Sequence, residues 1–176
     1  MEIFIVGLIL VALMVYASTK IKKVAAEAFE RETIEAEDFT ISKPKGFIHP
    51  FNETSAFAFE AYTKDFGAEP ASDFKQSRAT LRIISDSTFE AVCKDAKKSA
   101  DKILSKNYVG NAPEGQKIFL MESEKAEKEV SFFTFWKIIE SRQRKKIYEF
   151  RVSVLEDNRE KFENETSELI ETFTVK

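Results

Sequence analysis

Few side chains in this sequence have both the type and the spacing that enzyme chemistry requires. His49 is the only histidine and Cys93 the only cysteine, and no motif pairs either with a nucleophile or base. A structural zinc site needs four Cys or His ligands, more than the chain contains. The five glycines are not spaced as in a phosphate-binding loop or a dinucleotide fingerprint. The sequence therefore predicts no catalytic residue, no metal site and no cofactor.

Carboxylates are the remaining candidates for catalysis, since two acids that folding brings together can act as general acid and general base. The acidic run from Glu27 to Asp38 lacks the fixed loop spacing of a calcium site, and we interpret it as solvated. Cys93 falls in the apolar stripe of a predicted helix, which favours a small core residue over a reactive thiol. A non-enzymatic protein is the favoured class. An enzyme with a carboxylate pair in a sheet–helix cleft is one alternative.

An apolar run at residues 3–19 contains no charged side chain and predicts a transmembrane anchor over residues 1–19. As a helix it is roughly 25 Å long, and its aliphatic and aromatic residues favour the bilayer by about 3 to 6 kcal/mol. A soluble core helix would show a polar stripe, which is missing here. The residues predicted to contact lipid are Ile3, Phe4, Leu8, Leu10, Leu13 and Tyr16.

Charges on either side of this run predict its orientation. Lys20, Lys22 and Lys23 follow the run, and by the positive-inside rule they remain in the cytoplasm with the domain behind them. A signal peptide would carry positive charge ahead of the run, where Glu2 is the only charged side chain. The stretch "VYA" at residues 15–17 keeps a cleaved signal peptide as an alternative, and an extracytoplasmic domain as another.

Behind the anchor we expect a helical stalk at residues 20–36 and one globular domain at residues 37–176. Alternation predicts strands at residues 38–47 (ending in a turn at Pro44 and Gly46), 57–66, 77–85, 117–124, 129–139 and 145–156. Helical spacing predicts helices at residues 87–107, begun by a capping box of Ser87 and Glu90, and at 157–173. Because strands joined by hairpins are antiparallel, the predicted fold class is α+β: a transmembrane helix, then a largely antiparallel sheet of five to six strands flanked by two helices.

Two parts of the predicted sheet are candidates for contact with other molecules. Residues 129–139 are apolar on both faces, which favours a central strand covered on both sides, with a partner-binding surface as the alternative. A basic turn follows, and on an anchored domain it could contact anionic lipid. The residues predicted to contact the membrane surface are Lys20, Lys22, Lys23, Arg142, Arg144, Lys145 and Lys146.

The order of elements in residues 37–175 resembles that of the PsbP-like extrinsic photosystem subunits. The matching pieces are an early strand with a Pro–aromatic turn ("ISKPKGF") and the end of the chain ("KIYEFRVSV…ETSELIETFTV"), where a final helix closes on Glu171-Thr172-Phe173. The resemblance implies a non-enzymatic partner that stabilises or helps to assemble a membrane complex. It also implies an extracytoplasmic location, and it transfers no metal-site residue.

The sequence as a whole predicts a single-pass, membrane-anchored protein whose domain binds or scaffolds a protein partner at the membrane surface. An anionic-lipid-binding module is a further alternative to the carboxylate enzyme. A net charge of −3 gives no general attraction for nucleic acid. Seventeen phenylalanines predict an aromatic core.

Overall fold

The computed structural model describes residues 2–50, 55–110, 112–113 and 115–176, with the backbone alone described for residues 2–10, 12, 24 and 25. The helices are α1 (Glu2–Glu27), α2 (Phe89–Lys98) and α3 (Glu163–Thr172), and 3₁₀ turns at Glu156–Asn158 and Glu160–Phe162 precede α3. The strands are β1 (Glu32–Glu35), β2 (Phe39–Lys43), β3 (Phe47–Ile48), β4 (Phe59–Thr63), β5 (Ser77–Ile84), β6 (Lys102–Tyr108), β7 (Gln116–Glu127), β8 (Val130–Ser141), β9 (Lys146–Leu155) and β10 (Thr174–Val175).

A seven-stranded antiparallel sheet forms the centre of the fold, with the strand order β3-β4-β5-β9-β8-β7-β6. Strands β6 to β9 form a meander, and β9 then pairs with β5 along the whole of β5. Helix α2 connects β5 to β6 at the far edge, so it crosses one face of the sheet and packs on β8. We call this face the α2 face and the opposite one the α3 face. The α+β class and the antiparallel sheet were predicted correctly.

The α3 face is covered by a second layer. A three-stranded sheet of order β1-β2-β10 and helix α3 pack on it. Rings interlock across the layers: Phe173 lies 4.9 Å from Phe150 of the large sheet and 6.4 Å from Phe39 of the small sheet. The buried side chains of this core include Ile41, Phe47, Phe59, Leu81, Tyr148, Phe150, Val152, Leu169 and Phe173.

The α2 face carries a second core. Phe89, Val92, Cys93 and Ala96 recur at helical spacing on α2 and pack against Trp136, Ile138 and Ile147 of the sheet. The prediction of β8 as a central strand covered on both sides is confirmed, since Trp136 and Ile138 are buried on one face and Phe133 and Ile139 on the other. Cys93 is buried in this core, as its position in the apolar stripe predicted.

The predicted helix over residues 87–107 is too long. Helix α2 begins at Phe89, and its N-cap is Thr88 rather than Ser87, with the Thr88 hydroxyl accepting from the Ala91 N–H. It ends at Lys98, and residues 102–108 form β6, the edge strand beside β7. The apolar pair Ile103 and Leu104 extended the helical pattern, but backbone pairing with β7 overrides that local preference.

The predicted helical stalk over residues 20–36 is also only partly correct. Helix α1 ends at Glu27, and Glu32–Glu35 is strand β1, which pairs with β2. The intervening segment is joined to the domain by Lys43, whose ammonium donates to the carbonyl oxygens of Ala28 and Glu30. Asp38 was predicted to be solvated, but only 8% of it is exposed.

The predicted turn at Pro44 and Gly46 is confirmed, and its positive φ of 88° at Gly46 suits a residue without a Cβ.

The sheet arrangement also exceeds the prediction of five to six strands, since the described residues form ten strands in two sheets. Most of the additional strands are short: β1, β3 and β10 contain two to four residues each. Strands of that length give too little alternation to be recognised in a sequence.

Within the part of the chain that the structure describes, no helix combines the length and the apolar character needed to cross a membrane. Of the residues predicted to contact lipid, the side chains of Ile3, Phe4, Leu8 and Leu10 lie outside the described set. Leu13 and Tyr16 are exposed.

Candidate binding cleft

A cleft of about 770 Å³ opens between β8 and the segment that leads into α3. Its apolar lining comes from Phe133 and Phe135 of β8, Val154 of β9 and Ile170 of α3. Phe133 and Phe135 are two residues apart, so they point to the same face of the sheet, and Val154 lies opposite Phe133 on β9. Phe135 is only half buried. Phe133 is buried, so Phe135 is the aromatic ring that the fold leaves partly uncovered in the cleft.

Helix α3 forms the wall of the cleft and is held in place from both sides. Leu169 is fully buried in the core, which turns the following residue, Ile170, to the cleft. At the C-terminal end of the helix, the Lys137 ammonium donates hydrogen bonds to the carbonyl oxygens of Ile170 (2.7 Å) and Phe173 (2.8 Å). These carbonyls lack helical partners, and a cation is the favoured group at a helix C-terminus. Burial lowers the pKa of Lys137.

The rim of the cleft is acidic. Its ionisable residues are Glu122, Glu156, Asp157, Glu160, Glu163, Glu171 and a single cation, Arg159. The Arg159 guanidinium lies 3.9 Å from the centre of the Phe133 ring and 3.7 Å from Glu156 Oε1. Glu156 Oε2 is inaccessible to solvent and accepts no hydrogen bond from the described residues. The Arg159–Phe133 stacking shows which kind of group this surface accommodates: a planar cation over an aromatic ring, beside a carboxylate.

The residues predicted to contact the membrane surface fall into two separate places. Lys20, Lys22 and Lys23 are exposed on α1. Residues 142–145 form the turn between β8 and β9, as predicted. The chain that follows α1 contacts the C-terminal end of β2, where Lys43 binds the carbonyl oxygens of Ala28 and Glu30. The basic turn contacts the N-terminal end of the same strand, through ion pairs with Asp38. Five residues of extended chain separate the two points by about 17 Å.

Within the basic turn only part of the charge faces solvent. Arg144 and Lys146 both form ion pairs with Asp38, and the Lys146 Nζ–Asp38 Oδ2 distance is 2.7 Å. A hydrogen bond from Lys146 is the main reason that the pKa of Asp38 is lowered, and the same bond raises the pKa of Lys146. Arg142 and Lys145 are exposed. The sequence could not distinguish these two pairs, because the carboxylate lies more than 100 positions away along the chain.

His49 and Cys93 take structural positions. The Nδ1 atom of His49 lies 2.7 Å from the Glu60 carbonyl oxygen, and its ring stacks on Phe59 with centres 5.1 Å apart. Cys93 is 1% exposed, and burial raises the pKa of its thiol to about 11. A thiol with that pKa is protonated at neutral pH and is a poor nucleophile.

Sequence reasoning did not identify the cleft. The sequence did contain both halves of the cleft: Phe133 and Phe135 on one face of a predicted strand, and a run of acids at residues 156–163. Because these two segments are distant in sequence, the pattern did not indicate that they meet. Residues 157–173 were predicted to form one continuous helix. In the structure, residues 156–162 form two 3₁₀ turns that bring these carboxylates around the cleft.

The architecture is an α+β fold in which two sheets enclose an aromatic core. No protein family and no curated protein sequence matches the chain. Among solved structures, it is similar to cyanobacterial PsbP (CyanoP) from Synechocystis sp. PCC 6803, with 13% identity, coverage of 84% of this chain and 92% of CyanoP, and a TM-score of 0.50. The protein therefore has a PsbP-like fold, as the sequence predicted.

Two further structures share this fold. One is LpqN of Mycobacterium tuberculosis, involved in cell envelope biogenesis, with 8% identity, coverage of 83% of this chain and 90% of LpqN, and a TM-score of 0.55. The other is the Saccharomyces cerevisiae Ran-binding protein Mog1p, with 12% identity, coverage of 84% of this chain and 96% of Mog1p, and a TM-score of 0.52. At these identities the likeness concerns the fold alone.

Proposed function

We propose that this protein is a non-enzymatic binding or scaffold domain that is tethered to a membrane by α1 and holds a basic segment of a protein partner in the acidic cleft. The observation that carries the proposal is the half-exposed Phe135, beside the buried Phe133, inside a rim of carboxylates. A Ran-binding protein and a protein of cell envelope biogenesis have the same fold, which supports a binding role.

The chemistry of the cleft favours one kind of partner. Six carboxylates against one guanidinium create a strongly negative local potential, although the chain as a whole carries a charge of only −3. Lysine and arginine side chains can place their aliphatic stems on Phe135 and their charges at the rim. We therefore expect a partner segment that alternates basic and apolar residues and binds more weakly as salt increases.

Membrane attachment is the second part of the proposal, and the apolar run at residues 3–19 supports it. Lys20, Lys22, Lys23, Arg142 and Lys145 would be the residues available for anionic headgroups. Arg144 and Lys146 would contribute less, since Asp38 neutralises part of their charge. Anchoring raises the local concentration of the domain, so a cleft with modest affinity suffices. The domain is proposed to be cytoplasmic, with the extracytoplasmic side as the alternative.

Peptide binding tests the cleft. The full chain in detergent micelles is titrated with a fluorescent peptide that alternates lysine and leucine, and with a matched peptide in which glutamate replaces lysine. We expect saturable binding of the basic peptide only. A triple charge reversal at the rim, Asp157→Lys, Glu160→Lys and Glu163→Lys, should weaken that binding at least tenfold.

The control reverses three exposed acids outside the cleft, Asp65→Lys, Asp86→Lys and Asp95→Lys, and so changes the net charge equally. Equal loss of binding in both triple variants would mean that net charge alone attracts the peptide, and the cleft would be rejected. Retained binding in the rim variant would reject it as well. Partition of the full chain into liposomes, compared with a chain that starts at residue 28, tests the anchor separately.

A further inference from the structure

The α2 face of the large sheet carries a half-buried arginine that has no ion-pair partner among the described residues. Arg151 projects from β9, and its guanidinium lies 5.4 Å from the centre of the Trp136 ring. The neighbouring arginines on the same face are neutralised, Arg78 by Glu60 and Arg82 by Glu149, each at 2.6 Å. Among the described residues none forms a hydrogen bond or an ion pair with the side chain of Arg151. Arg151 is half buried, so its charge is partly removed from water.

The side chain of Arg151 lines a groove of about 390 Å³ beyond the end of α2. Tyr62, Phe74, Phe132 and Trp136 provide aromatic lining, and Ser99, Ser123, Thr134 and Ser153 provide hydroxyls. Thr134 and Ser153 lie 3.3 Å apart and share one hydrogen bond, so the proton of one hydroxyl remains available to another acceptor. Ser123 accepts from the Trp136 indole N–H at 3.2 Å, which fixes the ring beneath the guanidinium.

The other charges of the groove leave it slightly positive. The remaining charged lining residues are Lys75, Arg78 and Lys125 against Glu60, Asp73 and Glu127. Glu60 is bound by Arg78, and Glu127 lies 3.7 Å from Lys125. Asp73 is therefore the acid of this groove that forms no ion pair with the described residues. The attraction of Glu149 raises the pKa of Arg151 less than burial lowers it. Burying a cation that is only partly compensated is costly, and an incoming anion would lower that cost.

We propose that this groove is an oxyanion-binding site in which Arg151, backed by Trp136, binds a carboxylate or a phosphate group of a small molecule. The planar guanidinium suits both anions because its N–H donors match two oxygens at once. Ser153 lies on β9 two residues after Arg151, and Thr134 lies opposite Ser153 on β8. Their hydroxyls are placed to donate to a third oxygen of the anion. Burial lowers the pKa of Arg151, and the attraction of Glu149 offsets that lowering only in part. The site lies on the opposite face of the sheet from the acidic cleft and does not depend on it.

Trp136 provides the test, because it is the only tryptophan in the chain and lies next to the proposed anion. Its fluorescence is recorded while the full chain in detergent is titrated with inorganic phosphate, with acetate and with citrate, at ionic strength held constant with chloride. We expect a saturable change with at least one of the three, and the comparison identifies which oxyanion is preferred. No saturable change with any of them would overturn the proposal.

Variants locate the anion. Arg151→Gln should raise the dissociation constant at least tenfold, whereas Lys106→Gln, which removes an equal charge from an exposed position on β6, should leave it unchanged. Arg151→Lys keeps the charge but loses the planar pair of donors, so binding should weaken about fivefold or more. Circular dichroism establishes that the variants are folded. If Arg151→Gln does not fold, the Arg151→Lys variant provides the test by itself. An oxyanion affinity equal to that of the wild type in this variant would contradict the proposed site.

Discussion

The ammonium group of Lys43 donates a hydrogen bond of 3.0 Å to the carbonyl oxygen of Ala28, and this contact joins the chain that leaves α1 to the last residue of β2. The same nitrogen also donates to the carbonyl oxygens of Glu30 and Phe47. Lys43 is 1% exposed, and burial lowers its pKa. A buried lysine bound by three backbone carbonyls thus fixes where the N-terminal helix meets the domain.

Replacing Lys43 with methionine should destabilise the protein, because three backbone carbonyl oxygens lose their donor. We expect a loss of about 2 to 3 kcal/mol in the free energy of unfolding, measured by urea denaturation, and faster tryptic cleavage at Arg31. Lys45→Met serves as the control, since Lys45 is exposed and forms only a surface ion pair with Glu30 at 3.4 Å. A loss as small as that of the control would show that the buried ammonium is not needed.

The ion pairs of Asp38 predict a specific dependence of stability on pH. The pKa of Asp38 is lowered in the folded state from its usual 3.8, which the unfolded chain keeps. At pH values between the folded and the unfolded pKa, the unfolded chain therefore binds more protons than the folded protein. The stabilisation is therefore complete above about pH 4 and is lost as pH falls through the folded-state pKa. Urea denaturation at pH 3 to 7 should show a difference between wild type and Asp38→Asn that is constant at neutral pH and shrinks in acid. A pH-independent difference would contradict this assignment.

Lys137 should stabilise α3 through its contacts at the end of the helix. Lys137→Met keeps the volume of the side chain but leaves the Ile170 and Phe173 carbonyl oxygens without their donor, which should cost about 1 to 3 kcal/mol. Hydrogen exchange should accelerate in residues 163–173 more than in β5 or β9. Uniform acceleration along the chain would indicate a global effect and no particular role at this helix end.

Gly67 lies where a side chain cannot be accommodated. A Cβ there would come within 2.5 Å of Leu155 Cδ1 and 2.6 Å of Ala71 Cβ. We expect Gly67→Ala to cost about 1 to 3 kcal/mol through overpacking. Gly110→Ala is the matched control, because nothing lies within 4 Å of its Cβ position, and it should be neutral or slightly stabilising. Equal midpoints of thermal unfolding for the two variants would be inconsistent with this packing.

Cys93 should be unreactive in the native protein. With its thiol buried and its pKa raised to about 11, labelling by a disulfide reagent at pH 8 should require unfolding. The labelling rate should rise with urea in parallel with the unfolded fraction reported by Trp136. Rapid labelling without urea would place the thiol outside the core. Comparison with the fully unfolded chain gives the reference rate.

Much of the fold could be predicted because its strongest elements have regular patterns. Strands β5, β8 and β9 alternate or are apolar on both faces, and the stripe of Phe89, Val92, Cys93 and Ala96 defines α2. Residues 102–108 could not be assigned by pattern, since Ile103 and Leu104 suit a helix as well as a strand. Their strand conformation depends on β7, which is supplied by a later part of the chain.

The candidate sites could be predicted less well, for the same reason. Both sites are assembled from residues that are distant in sequence: Phe133 with Glu163, and Arg151 with Trp136. The basic turn was recognised from its composition, but the ion pairs that occupy Arg144 and Lys146 come from Asp38, in a segment interpreted as solvated. Local sequence reports which residues are charged and does not report which charges meet.

The pairing of β10 with β2 has a consequence for biosynthesis. Phe39 and Thr40 lie opposite Val175 and Thr174, so the small sheet cannot be completed until residues 174–175, some 135 positions later, have left the ribosome. Strand β5 likewise cannot pair on this side until β9 has been synthesised. Contacts between such distant segments slow folding and leave apolar strands open in the meantime. The nascent protein should therefore depend on chaperones during translation more than a helical domain of equal length.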